Sequence, residues 1–257
     1  MKQDFEMAGW CSTVAYPYPQ AVIRARPQDS FVLAGCGGGG GAAQLLPSDL
    51  LDEMLARAEA RLHPMVGPAS LGALFDAINS QVCALIRGSH YTGSSAYSTA
   101  ALFTEEQVHL ASVGLCRAYR VTPDEFCVLT RDETLFATAV SLGQPAPEWY
   151  REIVTRTFGS DDGSKGLPWQ TVSIPHQPGA AYLLCTSALH QCIPAALLAS
   201  WVREAFNESD LLHAAAGLWQ RGHDWLAPQE LQAHKNRYQY ERAAALVLVR
   251  SRTNSER

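Results

Sequence analysis

Several side chains in this sequence are of types that do chemistry, and their spacing decides how far each can be taken. The stretch Asp29–Ala43, DSFVLAGCGGGGGAA, joins a short apolar run to Gly35, Cys36 and the consecutive glycines Gly37 to Gly41. The apolar residues Phe31 to Ala34 read as a buried strand. The glycines after them let the backbone turn tightly or approach a ligand closely. A strand, a glycine turn and a following helix would suit phosphate, but no Lys-Ser/Thr follows the glycines and no G-x-G-x-x-G sits between strand and helix. Cys116 beside Arg117 suggests an activated thiolate, since a guanidinium lowers a thiol pKa. That pair lacks the C-x5-R spacing of a cysteine phosphate loop, and no base is placed with it. Gly93-Ser94-Ser95 is not the G-x-S-x-G of a nucleophile elbow and reads as a turn. His176, His190, His213, His223 and His234 crowd the C-terminal third with Cys185 and Cys192. None forms the close C-x2-C or H-x3–5-H pair that zinc requires, so surface or partly buried histidines are expected.

Further segments fit the glycine stretch in order along the chain. Arg24-Ala25-Arg26-Pro27-Gln28-Asp29 leads to Ala34-Gly35-Cys36-Gly37-Gly38. Gly93-Ser94-Ser95 leads to Ser112-Val113-Gly114-Leu115-Cys116-Arg117-Ala118-Tyr119 and then to Leu129-Thr130-Arg131-Asp132-Glu133. Val154 to Gly159 and Leu183-Leu184-Cys185-Thr186-Ser187-Ala188-Leu189 follow, and Glu241-Arg242 precede an apolar run, Ala243 to Arg250. Over about residues 20 to 250 these segments resemble the metal-dependent Ser/Thr protein phosphatases of type 2C, the PPM family. The family's counterparts are Arg-x-x-Asn-Glu-Asp, Asp-Gly-Met-Gly-Gly, Gly-Thr-Thr, Asn-x-Gly-Asp-Ser-Arg-Ala-Tyr, Leu-Thr-x-Asp-His, Leu-Leu-Cys-Ser-Asp-Gly-Leu and a closing Asp-Asn. The resemblance implies an α+β fold, a four-layer α-β-β-α sandwich, in a single domain over residues 1–257.

It also implies a chemistry in which two Mg²⁺ or Mn²⁺ ions activate a water against phosphoserine or phosphothreonine. Two hard cations held close together need several carboxylate oxygens. Here Ala34, Leu115 and Ser187 stand at the family's Asp positions, and Gln28 at its Glu. Asp29 is kept, Glu241 could replace the last Asp, and Gly35 could offer a backbone carbonyl. The resemblance therefore implies a pseudophosphatase with no resident cofactor. The alternatives are a weak phosphatase drawing Mg or Mn to Asp29, Glu241 and the Gly35 carbonyl, and a structural subunit of a larger complex. Arg24 matches the family's phosphate-contacting arginine, and a guanidinium can hold phosphate without metals. Equally, it could pair with Asp29 or Glu241 and neutralise a vestigial pocket. The expected partner is a protein: a Ser/Thr kinase, its substrate or a kinase-regulated complex, met through the old substrate cleft or the loop Ser160–Gly166.

Composition sets the outer bounds. The chain has 257 residues, 47% apolar and 18% charged, enough to bury a sizeable core. A net charge of −5 without long runs of one sign disfavours a nucleic-acid partner. Seven cysteines without paired spacing suggest reduced thiols in a cytoplasmic, bacterial protein, with Cys36, Cys83, Cys116, Cys127 and Cys185 in apolar surroundings. No apolar stretch of about 18 residues suggests membrane insertion, and the N-terminus lacks a signal-peptide pattern.

The elements that would position these residues are legible in outline. Trp10, Tyr16 and Tyr18 suggest a first strand ending at Pro17 and Pro19, and Ala21 opens the next. Ser48 can cap a helix over Asp49–His63 with Leu50, Leu51, Met54, Leu55 and Ala58 on one face. A second helix is expected over Ser70–Arg87. Strands are expected at Tyr97–Phe103, Val108–Val113, Cys116–Val121 and Phe126–Leu129, then a helix at Glu133–Leu142. Trp169–Ile174 and Ala180–Cys185 read as strands joined by Pro178-Gly179. Three helices, Pro194–Phe206, Glu208–Arg221 and Pro228–Asn236, precede a last strand at Leu246–Val249. Two groups of strands with flanking helix pairs suit a two-layer β core covered by helices.

Overall fold

The computed structural model describes residues 5–13, 21–39, 48–61, 67–87, 89–159, 168–235 and 243–251. Its strands are β1 (Phe5–Thr13), β2 (Ala21–Arg26), β3 (Phe31–Gly39), β4 (Ser94–Phe103), β5 (Gln107–Val113), β6 (Arg117–Val121), β7 (Phe126–Val128), β8 (Gln170–Pro175), β9 (Ala181–Cys185) and β10 (Ala243–Ser251). Its helices are α1 (Ser48–Arg61), α2 (Gly67–Ile86), α3 (Leu135–Ser141), α4 (Ser187–Cys192), α5 (Ala195–Phe206) and α6 (Leu211–Lys235). The strands form two antiparallel five-stranded sheets, β1-β10-β9-β6-β7 and β2-β3-β4-β5-β8.

The strand period explains the layering. Side chains alternate between the faces of a strand, and β3 is apolar on both. Phe31 and Leu33 pack outward beneath α1 and α2 with Leu55, Leu74, Phe75 and Ile78. Val32, Ala34 and Cys36 point inward, where they meet Ala118, Tyr182, Leu184 and Val247 of the other sheet. That other sheet buries its outer face, including Tyr119, Leu183 and Leu246, under α5 and α6 through Leu198, Val202, Leu211 and Leu218. The result is the four-layer α-β-β-α sandwich. α2 has the length and hydropathy of a membrane span, but its Leu71, Leu74, Phe75, Ile78 and Val82 are spent on this core.

Three elements differ from the sequence reading. Among the described residues the glycines after Ala34 do not turn; Gly35 to Gly39 extend β3 and pair with Ser98 to Ser94, and Gly40 and Gly41 lie outside the described residues. The same pairing draws Ser94 and Ser95 out of the expected turn into β4. A Cβ on Gly35 would sit 3.0 Å from the Tyr97 carbonyl oxygen, so the close approach is between strands rather than to a ligand. The two C-terminal helices expected on either side of Pro228 are one, α6; a proline removes one helical hydrogen bond, and the packed first half of α6 carries the helix through. Pro178-Gly179 does turn the chain, with Gly179 at φ +78°. It carries the chain from one sheet to the other rather than closing a hairpin.

Candidate functional site

The registers place the positions that would carry the chemistry. Ala34 of β3 lies opposite Thr99 of β4, which lies opposite Ser112 of β5. The chain leaves β5 through Gly114, Leu115 and Cys116 and enters β6, where Arg117 lies opposite Cys185 at the end of β9. Ser187 then begins α4. The end of β5, the start of β6 and the end of β9 thus meet at one end of the sandwich, with Leu115 and Ser187 both buried there. Cys36 reaches the same region from β3, because the Cys116 thiol lies against it.

Asp29 is not brought to that end. It closes a 3-10 turn, Pro27–Asp29, between β2 and β3. The Phe103 N–H donates to the Ser30 carbonyl at 2.8 Å, which fixes this turn beside the far ends of β4 and β5. The adjoining row runs through Phe31, Leu102 and His109, four residues along β5 from Val113. At roughly 3.3 Å per residue that is about 13 Å of strand. Asp29 Oδ2 lies 3.7 Å from Arg26 Nη1.

Arg24 also faces away from the inter-sheet layer. It lies opposite Leu33, on the helix-bearing face. Its Nε donates to Glu59 Oε1 at 2.8 Å and its Nη1 to Asp52 Oδ1 at 2.8 Å, both on α1. Its partners are therefore Asp52 and Glu59 rather than Asp29. Glu59 is fully buried and also lies 3.2 Å from Arg26 Nε. Burial pushes the Glu59 pKa up, and the Arg24 and Arg26 charges only partly offset it. One sequence signal was available for this partner: Glu59 continues the Leu51, Leu55 stripe of α1 at helical spacing.

At the convergent end the groups are neutral or already engaged. His190 of α4 donates from Nε2 to the Leu115 carbonyl at 2.6 Å. Its Nδ1 is buried without a hydrogen-bond partner among the described residues. Burial, and then the Arg117 charge, lower the His190 pKa to about 4, so the ring is uncharged at neutral pH. Arg117 holds Asp132 in a fork, Nε to Oδ1 at 2.7 Å and Nη2 to Oδ2 at 2.6 Å. The Cys116 thiol is pushed well above its ordinary pKa by burial and by Cys36, and burial pushes Cys185 up to about 12. A guanidinium already paired with a carboxylate does not activate Cys116, and the nucleophile reading fails on that geometry. Of the other histidines, His176 is buried against Phe5 while His213 and His223 lie at the surface of α6. Glu241, the loop Ser160–Gly166 and the side chain of His234 lie outside the described residues.

These donors can be compared with the two hard cations that the sequence resemblance implies. Ala34 is fully buried in an apolar layer, Leu115 is buried with its carbonyl already bonded, and Ser187 offers a neutral hydroxyl. Gly35 lies within a paired ladder, between Val22 and Ser98. Among the described residues no three His, Cys, Asp or Glu side chains converge as a metal would need. This donor set does not fit a binuclear Mg²⁺ or Mn²⁺ site.

The fold places the chain in a class. The fold is that of the type 2C, or PPM, Ser/Thr protein phosphatases. The chain is similar to the catalytic domain of the serine threonine protein phosphatase PstP in complex with two manganese ions, with a TM-score of 0.75 and 18% identity over 97% of this chain and 99% of that one. It is similar to PppA, a key regulatory component of T6SS in Pseudomonas aeruginosa, with a TM-score of 0.73 and 18% identity over 98% and 99% of the two chains. It is also similar to the serine/threonine phosphatase Stp1 from Staphylococcus aureus, with a TM-score of 0.74 and 18% identity over 99% and 98%. No family model and no curated protein matches the sequence.

Proposed function

We propose that this chain is a pseudophosphatase: it keeps the PPM fold, does not hydrolyse phosphoesters, and acts as a regulatory module that binds a protein partner. The observation that carries this reading is the inter-sheet layer at Ala34, an apolar side chain with no exposed surface where the sequence resemblance calls for a metal-binding Asp. The engaged Leu115 carbonyl and the distance of Asp29 from it point the same way. So does Arg24, whose guanidinium is engaged by Asp52 and Glu59 of α1. The partner we propose is a component of a bacterial, cytoplasmic pathway regulated by Ser/Thr phosphorylation: a kinase, its substrate or a complex under its control. The likeness to PppA, a regulatory component of a secretion system, supports that setting by analogy of fold. A permanent structural subunit would leave a broad apolar patch on α5 and α6. Those helices turn Leu198, Val202, Leu211 and Leu218 into the core, and the large apolar side chains they leave exposed among the described residues are Leu212 and Trp225.

The test is calorimetric titration of the purified protein with Mn²⁺, run beside p-nitrophenyl phosphate hydrolysis. No saturable uptake and no metal-dependent turnover are expected. Uptake of two ions with turnover that Asp29→Ala abolishes would overturn the reading and establish a rebuilt metal site.

A further inference from the structure

Apolar exposure on this molecule is unevenly distributed. Of the eight large apolar side chains exposed among the described residues, five lie between 128 and 153: Val128, Val140, Leu142, Trp149 and Ile153. A cleft of about 420 Å³ opens in the same region, between the end of β7 and α3. Its walls are Val128, Phe136, Ala137 and Val140, and Arg117, Arg131 and Arg151 stand around it. The volume is in the range of ligand-holding pockets, about 300–1,000 Å³. Isolated exposed apolar side chains need no explanation; Val128 and Val140, exposed on the walls of one concavity beside Phe136, do.

The charge around the cleft is specific. The protein carries a net −5, yet three guanidinium groups gather here. Arg117 is held by Asp132, inside the cleft. Arg151 lies over the Phe136 ring at 3.5 Å and pairs with Glu148, a solvent-exposed contact that competes weakly with a ligand. Arg131 makes no ion pair among the described residues, and its side chain is exposed. A carboxylate-bearing ligand would therefore find two accessible cations beside an apolar floor.

The backbone supplies the third element. β7 is the edge of its sheet. The Leu129 N–H bonds the Ala118 carbonyl, so the pair Tyr119–Val128 is the non-bonded one and Val128 turns its own N–H and C=O towards the open edge. Along it the Cys127 thiol donates to the Val128 oxygen at 3.6 Å, a weak contact, and a sheet edge is a template for an added strand. We infer that the cleft between β7 and α3 is a docking site for an extended acidic segment of a partner protein, which would add along β7, seat an apolar side chain between Phe136 and Val140, and present carboxylates to Arg131 and Arg151. This deepens the binding reading and rests on it. Main-chain bonding to the edge would give affinity, and the apolar pocket and cations would give specificity.

The experiment uses an immobilised array of octapeptides alternating Asp or Glu with Leu, Ile, Val or Phe, beside a matching array with Lys for the acids. Both are probed with the full chain. Members of the acidic array are expected to retain the protein, the Lys array is not, and added salt is expected to weaken retention. The Arg131→Glu, Arg151→Glu double variant and, separately, Val140→Asp are each expected to lose about tenfold or more in affinity by fluorescence anisotropy with the best peptide. Both change surface side chains, and an unchanged melting curve would show that the fold is kept. No retention, equal retention of the Lys array, or binding indifferent to these variants would overturn the inference. So would a doubling of solution mass that Val140→Asp abolishes, because the face would then belong to a second copy of this chain. Failure of the broader reading is separate: it would appear as Mn²⁺-dependent turnover, whatever the array shows.

Discussion

At the scale of single residues, ionisable groups that look functional in the sequence are engaged in holding the fold. Arg24 is the clearest case. If it tethers α1 to β2, Arg24→Ala leaves the buried Glu59 carboxylate with only Arg26 beside it. This should cost about 2–3 kcal/mol in urea unfolding. A receptor arginine at a vacant pocket would cost almost nothing. Glu59 behaves differently, because burial raises its pKa and the ionised form is a net expense to the fold at pH 7. Glu59→Gln should therefore stay within about 1 kcal/mol of the parent, and the two substitutions should be non-additive in a double-mutant cycle. His190 sets a pH dependence. Its folded pKa of about 4 lies below the ordinary value of 6.5, so between those two pH values the unfolded chain binds a proton that the folded chain refuses. Stability is then full above about pH 6.5 and falls as the pH drops towards 4, by on the order of 3 kcal/mol. His190→Gln, which keeps a donor for the Leu115 carbonyl, should flatten that limb in melting curves taken across this range. An unchanged slope would assign the acid sensitivity to other groups.

At the scale of elements, the β5–β6 crossing is the most constrained local structure at the convergent end. Gly114 has φ +76°, and a Cβ there would sit 2.4 Å from Tyr97 Cδ1. The Gly114 N–H also bonds Glu133 Oε2 at 2.9 Å, which ties the crossing to the segment ahead of α3. Gly114→Ala meets both backbone strain and a clash, and should lower stability by about 2–3 kcal/mol. Gly67 also has positive φ, +72°, but has open space around its missing Cβ; Gly67→Ala should cost about 1 kcal/mol. Equal melting shifts for the two would show that the Tyr97 contact carries no weight. α3 was legible as a helix over Glu133–Leu142, and the structure adds its cap, Thr134, which accepts from the Ala137 N–H at 3.2 Å. The glycine run was misleading at this scale. Its residues are permissive rather than obligate turn formers, and pairing with Ser94–Ser98 kept them extended.

At the scale of the whole molecule, the two sheets press an apolar layer together between them. Ala34→Asp puts a carboxylate into that layer beside Cys36 and Ala118. It should destabilise by about 3 kcal/mol, and millimolar Mn²⁺ should not restore the urea midpoint. Restoration would mean that the remaining ligands are already in place. The amino-acid sequence by itself determined the layered α+β architecture, because apolar period and motif order specify which faces are buried. It also determined that Ala34, Leu115 and Ser187 carry no charge, because residue identity needs no coordinates. Only the tertiary structure decided which of the surviving polar residues stand together. Asp29 and Arg24 lie near the glycine stretch in the chain, yet antiparallel pairing sends Asp29 to the far end of β3 and the strand's alternation turns Arg24 to the outer face. The cleft beside β7 was invisible for the same reason: Val128, Phe136, Val140 and Arg151 are spread over two expected elements and the segment after them, and they meet only when the sheet edge and α3 are packed side by side.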